Sequence, residues 1–127
     1  MTYVTIVALL AVIEYVYFSL DVGRARGKYD IKAPATSGHE MFDRVFRIHQ
    51  NTLEQLVVFF PGLYAFAAFV DPEWAAAIGF VFVVGRAVYS VGYKADPEKR
   101  GTGMLIGFLA NAVLVLGGLI GAIVALF

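Results

Sequence analysis

The sequence contains no cysteine and only two histidines. The absence of cysteine excludes disulfide bonds, thiolate metal sites and a cysteine nucleophile. His39 and His49 alone are too few for a histidine-rich metal site, so we expect no metal. Charged residues make up only 16% of the chain, and the net charge is zero. Nucleic-acid binding requires a strong positive patch, so we also expect no nucleic-acid partner.

Apolar residues, in contrast, are abundant. Hydrophobic residues form 60% of the 127 residues, and the mean hydropathy is +0.74. A membrane-spanning helix needs about 20 apolar residues, so the length permits one domain of four spans. We predict an all-α membrane protein with a single domain, residues 1–127, folded as a left-handed, up-and-down four-transmembrane-helix bundle. The predicted helices cover about 2–22, 38–70, 73–94 and 97–126.

Local signals predict where the helices begin. Asp71-Pro72-Glu73 and Asp96-Pro97-Glu98 each place an N-cap aspartate before a proline at the first helical position. Ser37-Gly-His-Glu40 has the spacing of a capping box. Between the first two helices we expect a basic loop over residues 23–37. The N-terminus lacks a basic segment and a cleavage signal, so we expect residues 1–20 to be retained as the first span.

The positive charges predict the orientation in the membrane. All ten lysines and arginines lie in two regions, one after the first helix and one near the turn between the third and fourth helices. Four spans place these two regions on the same side, and the positive-inside rule makes that side cytoplasmic. Both termini of this integral, multi-pass protein are then expected on the opposite side.

Three charged residues lie well inside the predicted spans, away from their ends. Glu14, Glu54 and Arg86 each lie six or seven residues from the predicted cytoplasmic surface, or roughly 10 Å below it. A charge at that depth is costly and is a functional-site hypothesis by default. We predict a structural ionic layer in which Arg86 lies between the two carboxylates. For Glu14, simple neutralisation of a buried charge is the favoured interpretation.

Two sets of polar residues share helix faces near this level. Arg47, Asn51 and Glu54 have i, i+4, i+7 spacing, just before an uncharged run. Their groups suit a small zwitterionic peptide, because arginine binds carboxylates and glutamate binds an ammonium group. Arg86, Tyr89 and Tyr93 follow on the third helix, and Arg100 comes seven residues later. The tyrosines have a second interpretation as anchors at the membrane interface.

The ordered set Arg47-x-x-x-Asn51-x-x-Glu54, Arg86-x-x-Tyr89-x-x-x-Tyr93 and Arg100 resembles the MAPEG family, the membrane-associated proteins of eicosanoid and glutathione metabolism. The resemblance covers essentially the whole chain. It implies a homotrimer that binds glutathione between neighbouring subunits, on the cytoplasmic side. The implied glutathione-binding residues are Arg26, Arg47, His49, Asn51, Glu54, Tyr89 and Tyr93, with Arg26 and His49 facing a neighbour's site.

The resemblance implies a catalytic role for Arg100, which would hold the glutathione sulfur as a thiolate. A free thiol has a pKa of ~8.5, and lowering it by about two units requires ~2.7 kcal/mol. One guanidinium in a partly desolvated site can supply this. The implied activity is that of a glutathione transferase, with possible peroxidase activity. It uses glutathione as co-substrate and attacks lipophilic electrophiles or lipid hydroperoxides from the bilayer.

The sequence departs from the leukotriene-forming branch of the family. Gln55 stands where that branch has a tyrosine, Gly27 replaces a second arginine, and the sequence stops right after the fourth helix. A broad detoxifying activity is therefore the expectation. Three alternatives stay open: a non-catalytic MAPEG-like protein that binds a lipid or a partner, a small transporter or channel subunit, and a structural bundle whose polar residues join helices.

Overall fold

The computed structural model describes residues 1–127 and contains four long helices. They are α1 (Thr2–Tyr29), α2 (Glu40–Phe69), α3 (Pro72–Ala95) and α4 (Gly101–Val124), with a 3-10 turn at Pro97–Arg100 before α4. All four are long and apolar enough to cross a membrane. The predicted all-helical fold with four candidate spans is therefore confirmed. The handedness of the bundle and the trimer remain predictions.

Helix α1 is longer than the sequence predicts. It continues through the basic residues to Tyr29, and its C-cap residue Asp30 has a left-handed φ of 54°. Val22 and Ala25 are buried together with Phe42 of α2, so this last part of α1 has its own small core. Cations near a helix C-terminus also interact favourably with the helix dipole. The predicted loop over residues 23–37 was therefore wrong in its first half.

The predicted capping box at Ser37 was also wrong. His39 is the N-cap of α2, and its Nδ1 accepts a hydrogen bond from Met41 N at 3.1 Å. The Ser37 hydroxyl instead donates to the Asp43 carboxylate at 3.1 Å, and Gly38 N donates to the same carboxylate at 3.2 Å. Because the Ser37 hydroxyl bonds to the Asp43 carboxylate, it does not cap the start of α2.

The two Asp-Pro signals have different outcomes. Asp71 caps α3 as predicted, because its Oδ1 accepts a hydrogen bond from Trp74 N at 2.9 Å. Asp96 also acts as a cap, but its Oδ1 accepts from Glu98 N at 3.0 Å and the turn that follows is a 3-10 turn. Helix α4 therefore begins at Gly101, four residues later than predicted.

Helices α2 and α3 form the centre of the bundle. Helix α1 packs against both of them, and α4 also packs against both. The rings of Phe59 and Phe82 stack in the core with centroids 4.2 Å apart. Leu63 and Leu114 are fully buried beside them.

The contact between α3 and α4 depends on a glycine. A Cβ atom at Gly103 would lie 2.2 Å from Tyr89 N, so no side chain fits there. Further along α4, a Cβ at Gly121 would lie 2.8 Å from Phe69 O in α2. Small residues thus permit close helix packing here. The close approach at Gly103 brings the start of α4 against Tyr89.

Candidate functional site

A polar cavity of about 250 Å³ lies at the end of the bundle where α3 connects to α4. Three helices and the 3-10 turn supply its lining. The residues around this polar cavity are Arg47, Asn51, Tyr89, Tyr93, Arg100 and Met104. The structure thus brings five of the predicted site residues together within one chain. Met104 was not predicted, since a methionine on an apolar helix carries no distinguishing pattern.

The tyrosines and Arg100 form one wall of the polar cavity. The rings of Tyr89 and Tyr93 lie 5.6 Å apart, one helical turn from each other on α3. The guanidinium of Arg100 lies 5.9 Å from the Tyr93 ring centroid. Its Nη1 donates to Pro97 O at 2.8 Å, across the 3-10 turn. The turn therefore holds a cation over a phenol ring at the mouth of the cavity.

Arg47 and Glu54 form an ion pair beside the polar cavity. Arg47 Nη1 lies 3.7 Å from Glu54 Oε1, which confirms that the two share a face of α2. Glu54 does not line the cavity. Both side chains are about half exposed, and such exposed pairs contribute only about 0–1 kcal/mol to stability. A ligand with a carboxylate and an ammonium group can therefore replace the pair at little cost.

Arg26 and His49 do not line the polar cavity of their own chain. Arg26 Nη1 donates to Ala35 O at 2.8 Å, and its guanidinium lies 5.1 Å from the Phe42 ring centroid. Arg26 belongs to α1. The His49 ring stacks on Tyr15 with centroids 4.8 Å apart, and its buried Nδ1 has no hydrogen-bond partner. The role of these two residues toward a neighbouring subunit remains a prediction.

The predicted ionic layer was wrong. Arg86 takes part in none of the four ion pairs of the chain. Its Nη2 instead donates to Asn51 Oδ1 at 2.9 Å and to Thr52 Oγ1 at 2.8 Å. Glu54 pairs with Arg47, and one oxygen of Glu14 is buried without a hydrogen-bond partner. Glu14 lies near enough to Arg86 for the two charges to interact, but without a direct ion pair, and Glu54 faces Arg47 instead. Equal depth along separate helices did not produce the predicted contacts, because depth does not determine which face of each helix points inward.

Neutral acceptors thus hold a buried cation directly behind the polar cavity. Arg86 is only 1% exposed, and its guanidinium lies 4.2 Å from the Tyr89 ring centroid. Thr52 can accept from Arg86 because its own hydroxyl proton is donated to Ile48 O at 2.7 Å. Asn51 both lines the cavity and accepts from Arg86. Thr52 was missed, although it directly follows Asn51 on the side of α2 that faces α3.

Two further cavities continue from the polar cavity along the bundle. The second, of about 390 Å³, shares Met104 with the polar cavity. The third, of about 300 Å³, shares Gln55 and Phe108 with the second. We call these two cavities together the α2–α4 groove. Its far part is lined by Gln55, Val58, Phe108, Asn111, Ala112, Val115 and Leu116. The groove therefore leads from polar groups to a mostly apolar surface.

Comparison with known proteins agrees with this arrangement. The model of the MAPEG family matches residues 4–120, nearly the whole chain. The chain belongs to the MAPEG family. The resemblance predicted from the site residues is thereby confirmed.

Three relatives illustrate the similarity of this MAPEG protein to others. It is 45% identical over 115 residues to an uncharacterized protein of Synechocystis sp., which covers 91% of this chain and 84% of the relative. It is 36% identical over 115 residues to human microsomal glutathione S-transferase 2, covering 91% and 78% respectively. It is 32% identical over 118 residues to mouse leukotriene C4 synthase, covering 93% and 79%.

Family membership and the four apolar helices together define the location of the chain. Every helix is long enough to span a bilayer, and the family is one of membrane proteins. The protein is therefore an integral, multi-pass membrane protein, as predicted.

Proposed function

We propose that this MAPEG protein is a membrane-embedded glutathione transferase, with peroxidase activity toward lipid hydroperoxides. The observation that carries the proposal is the polar cavity, which joins two guanidinium groups, two phenols and an amide. Relatives named microsomal glutathione S-transferase 2 and leukotriene C4 synthase support the assignment. The cavity borders the α2–α4 groove at Met104, so a water-soluble thiol and a lipophilic molecule can approach each other from opposite directions.

The polar side chains match the groups of glutathione. This tripeptide carries two carboxylates, an ammonium group and a thiol. Arg47 binds a carboxylate, because a guanidinium forms two parallel hydrogen bonds with such a group. Glu54, 3.7 Å from Arg47, binds the ammonium group. The Asn51 amide and the phenol groups of the two tyrosines bond to the peptide backbone of the ligand.

Arg100 activates the thiol without acting as a base. Arginine stays charged at neutral pH and donates hydrogen bonds, so it stabilises the thiolate electrostatically. The thiol proton goes to water. The thiolate then forms a bond with an electrophilic carbon and displaces a leaving group. With a hydroperoxide it instead bonds to the terminal oxygen and breaks the O–O bond; water protonates the departing alkoxide to an alcohol, and the glutathione sulfenic acid reacts with a second glutathione to give the disulfide and water. No residue of the protein forms a covalent bond with the substrate.

We further propose that the complete site needs a homotrimer. Arg26 and His49 lie outside the polar cavity of their own chain, which supports a role in the site of an adjacent subunit. Packing of a neighbour against the exposed Arg100 would remove water and strengthen its interaction with an anion. The positive-inside rule supports a site that faces the cytoplasm, with both termini on the opposite side.

The lipophilic co-substrate enters from the membrane through the α2–α4 groove. Its outer part is lined by Val58, Val115 and Leu116, which resemble lipid chains in polarity. Met104 borders both the groove and the polar cavity, so the groove ends beside the proposed thiolate position. An electrophile partitioned into the bilayer can therefore reach the sulfur without crossing water.

The test is formation of the glutathione thiolate by the purified protein, followed by its ultraviolet absorbance. Mixing wild-type protein with glutathione should produce the absorbance, and an aryl halide should consume it. Arg100→Gln should lose most of the signal, whereas Lys99→Gln, a neighbouring exposed cation outside the cavity, should retain it. If wild-type protein binds lipids but produces no thiolate, the non-catalytic alternative replaces this proposal.

A further inference from the structure

Two amide side chains face each other within the α2–α4 groove. Gln55 lies four residues after Asn51 on α2, about 6 Å along the helix from the polar cavity. The Asn111 Nδ2 atom on α4 lies 3.4 Å from Gln55 Oε1 and 3.5 Å from Gln55 O. Asn111 is only 3% exposed, and both residues line the far part of the groove. These two amides are the polar side chains in the otherwise apolar lining of the far part of the groove.

The backbone of Gln55 determines how the two amides are oriented. A carbonyl oxygen can only accept, so the Asn111 atom that faces Gln55 O must be the NH₂ nitrogen. This leaves Asn111 Oδ1 buried and without a hydrogen-bond partner. Gln55 Oε1 already accepts from Asn111, and Gln55 Nε2 makes no hydrogen bond to the protein. The pair therefore has one acceptor and one donor without a partner in the protein.

An unpaired polar group in a buried place costs about 1–3 kcal/mol. A groove that faces lipid offers little water to offset this cost. A ligand group with both a donor and an acceptor would satisfy both amides at once. A hydroxyl group has this combination, because its O–H can donate to Asn111 Oδ1 while its oxygen accepts from Gln55 Nε2. A ketone could only accept, and a hydrocarbon would leave both amides unpaired.

We propose that Gln55 and Asn111 recognise a hydroxyl group on the lipophilic co-substrate. This inference rests on the proposed function and specifies its substrate class as hydroxyl-bearing lipophilic electrophiles. The amide pair lies about one helical turn from the polar cavity. A hydroxyl bound there places a carbon only a few bonds away next to the thiolate, while the hydrocarbon chain lies along Val115 and Leu116. Gln55 and Asn111 are thus specificity-determining residues.

The test compares two α,β-unsaturated ketones of equal chain length, one of which carries a hydroxyl a few carbons from the electrophilic carbon. In either reaction the sulfur bonds to the β-carbon, the double-bond electrons move to the carbonyl oxygen, and water supplies the final proton. Wild-type protein should prefer the hydroxylated ketone by about tenfold in kcat/KM, with the difference mainly in KM, because one good hydrogen bond has that value.

The variants Gln55→Leu and Asn111→Leu should bring this ratio close to one. Gln50→Leu is the matched control, since Gln50 is an exposed glutamine of α2 that lines none of the three cavities. It should keep the wild-type ratio. Gln55 is only half-buried, so its variant provides the test if Asn111→Leu fails to fold. A wild-type ratio near one, or a ratio that the Gln55 variant leaves unchanged, would overturn the assignment.

A binding measurement separates this inference from the proposed function. Saturated alcohols and matched alkanes cannot react, and their affinities can be measured by titration calorimetry in nanodiscs. The alcohol should bind about tenfold more tightly to wild type, and equally to the alkane in Gln55→Leu. Loss of thiolate formation with this preference intact would overturn only the transferase. Thiolate formation without any preference for the alcohol would overturn only the hydroxyl assignment.

Discussion

Arg86 donates a hydrogen bond to Asn51 across the α2–α3 contact, with 2.9 Å between Nη2 and Oδ1. The arginine is buried in the bundle, whereas the asparagine lines the polar cavity. A buried cation therefore positions a residue that we propose binds glutathione. A buried charge is costly unless it is hydrogen-bonded, so we expect substitutions of its neutral hydrogen-bond partners to destabilise the protein.

Thr52 is the first such position. Thr52→Val keeps the side-chain shape but removes an acceptor 2.8 Å from the Arg86 guanidinium. We expect a loss of about 1.5–3 kcal/mol, the range for hydrogen bonds to charged groups. Thermal unfolding in detergent measures it. Thr102→Val, at an exposed position on α4, should have little effect. Equal stability of the two variants would mean that Arg86 does not depend on Thr52.

Gly103 is expected to be intolerant of even a methyl group. Gly103→Ala would place Cβ 2.2 Å from Tyr89 N, so α4 must move away from α3. We expect a cost of about 1–3 kcal/mol, typical of overpacking, and weaker turnover because Arg100 moves with α4. Gly101→Ala meets nothing within 4 Å and should be neutral or slightly stabilising. The melting temperatures of the two variants test this prediction: that of Gly103→Ala should fall, and equal values for the two variants would contradict it.

Arg47 is expected to act in binding rather than in chemistry. Arg47→Leu removes the proposed carboxylate partner and should raise the Kd for glutathione about tenfold or more. Because the Arg47–Glu54 pair is half exposed, stability should change by less than about 1 kcal/mol. Equilibrium dialysis with labelled glutathione measures the affinity. Lys32→Leu, at an exposed position between α1 and α2, serves as the control. An unchanged Kd in Arg47→Leu would remove this residue from the site.

The pH profile of turnover tests the role of Arg100. A guanidinium that stabilises the thiolate lowers the thiol pKa, so the reactive anion persists to lower pH. In wild type, kcat should rise with pH and level off above about 6.5, two units below the free thiol value of ~8.5. Without the cation in Arg100→Gln, the plateau should move toward ~8.5. Identical profiles for the two proteins would contradict electrostatic activation by Arg100.

Subunit mixing tests whether Arg26 completes a neighbouring site. Arg26→Gln and Arg100→Gln should each be weakly active alone. In a mixed trimer, some sites would combine Arg100 of one subunit with Arg26 of the next, and both residues would be intact. Co-expression with two affinity tags, followed by sequential purification, should therefore recover part of the activity. Activity no higher than that of the separate variants would argue that Arg26 does not act between subunits.

Much of the fold could be predicted because its signals are local. The apolar runs predicted the four helices. Asp71 caps α3 through a hydrogen bond to a residue only three positions further along the chain. The spacing of Tyr89 and Tyr93 placed their rings on one face, where they now lie 5.6 Å apart. Local signals failed where a distant group competed. The Asp43 carboxylate took the Ser37 hydroxyl, and contacts with Phe42 extended α1 past its predicted end.

The candidate site divides in the same way. Helical periodicity alone specified which polar residues share a face and how deep each one lies, because rise and rotation per residue are nearly constant. Packing between helices determined the hydrogen-bond partners of these polar residues, because the rotation of each helix about its axis depends on contacts made along its whole length. That is why Arg86 bonds to Asn51 and Thr52 rather than to a carboxylate, and why Gln55 meets Asn111 fifty-six residues away.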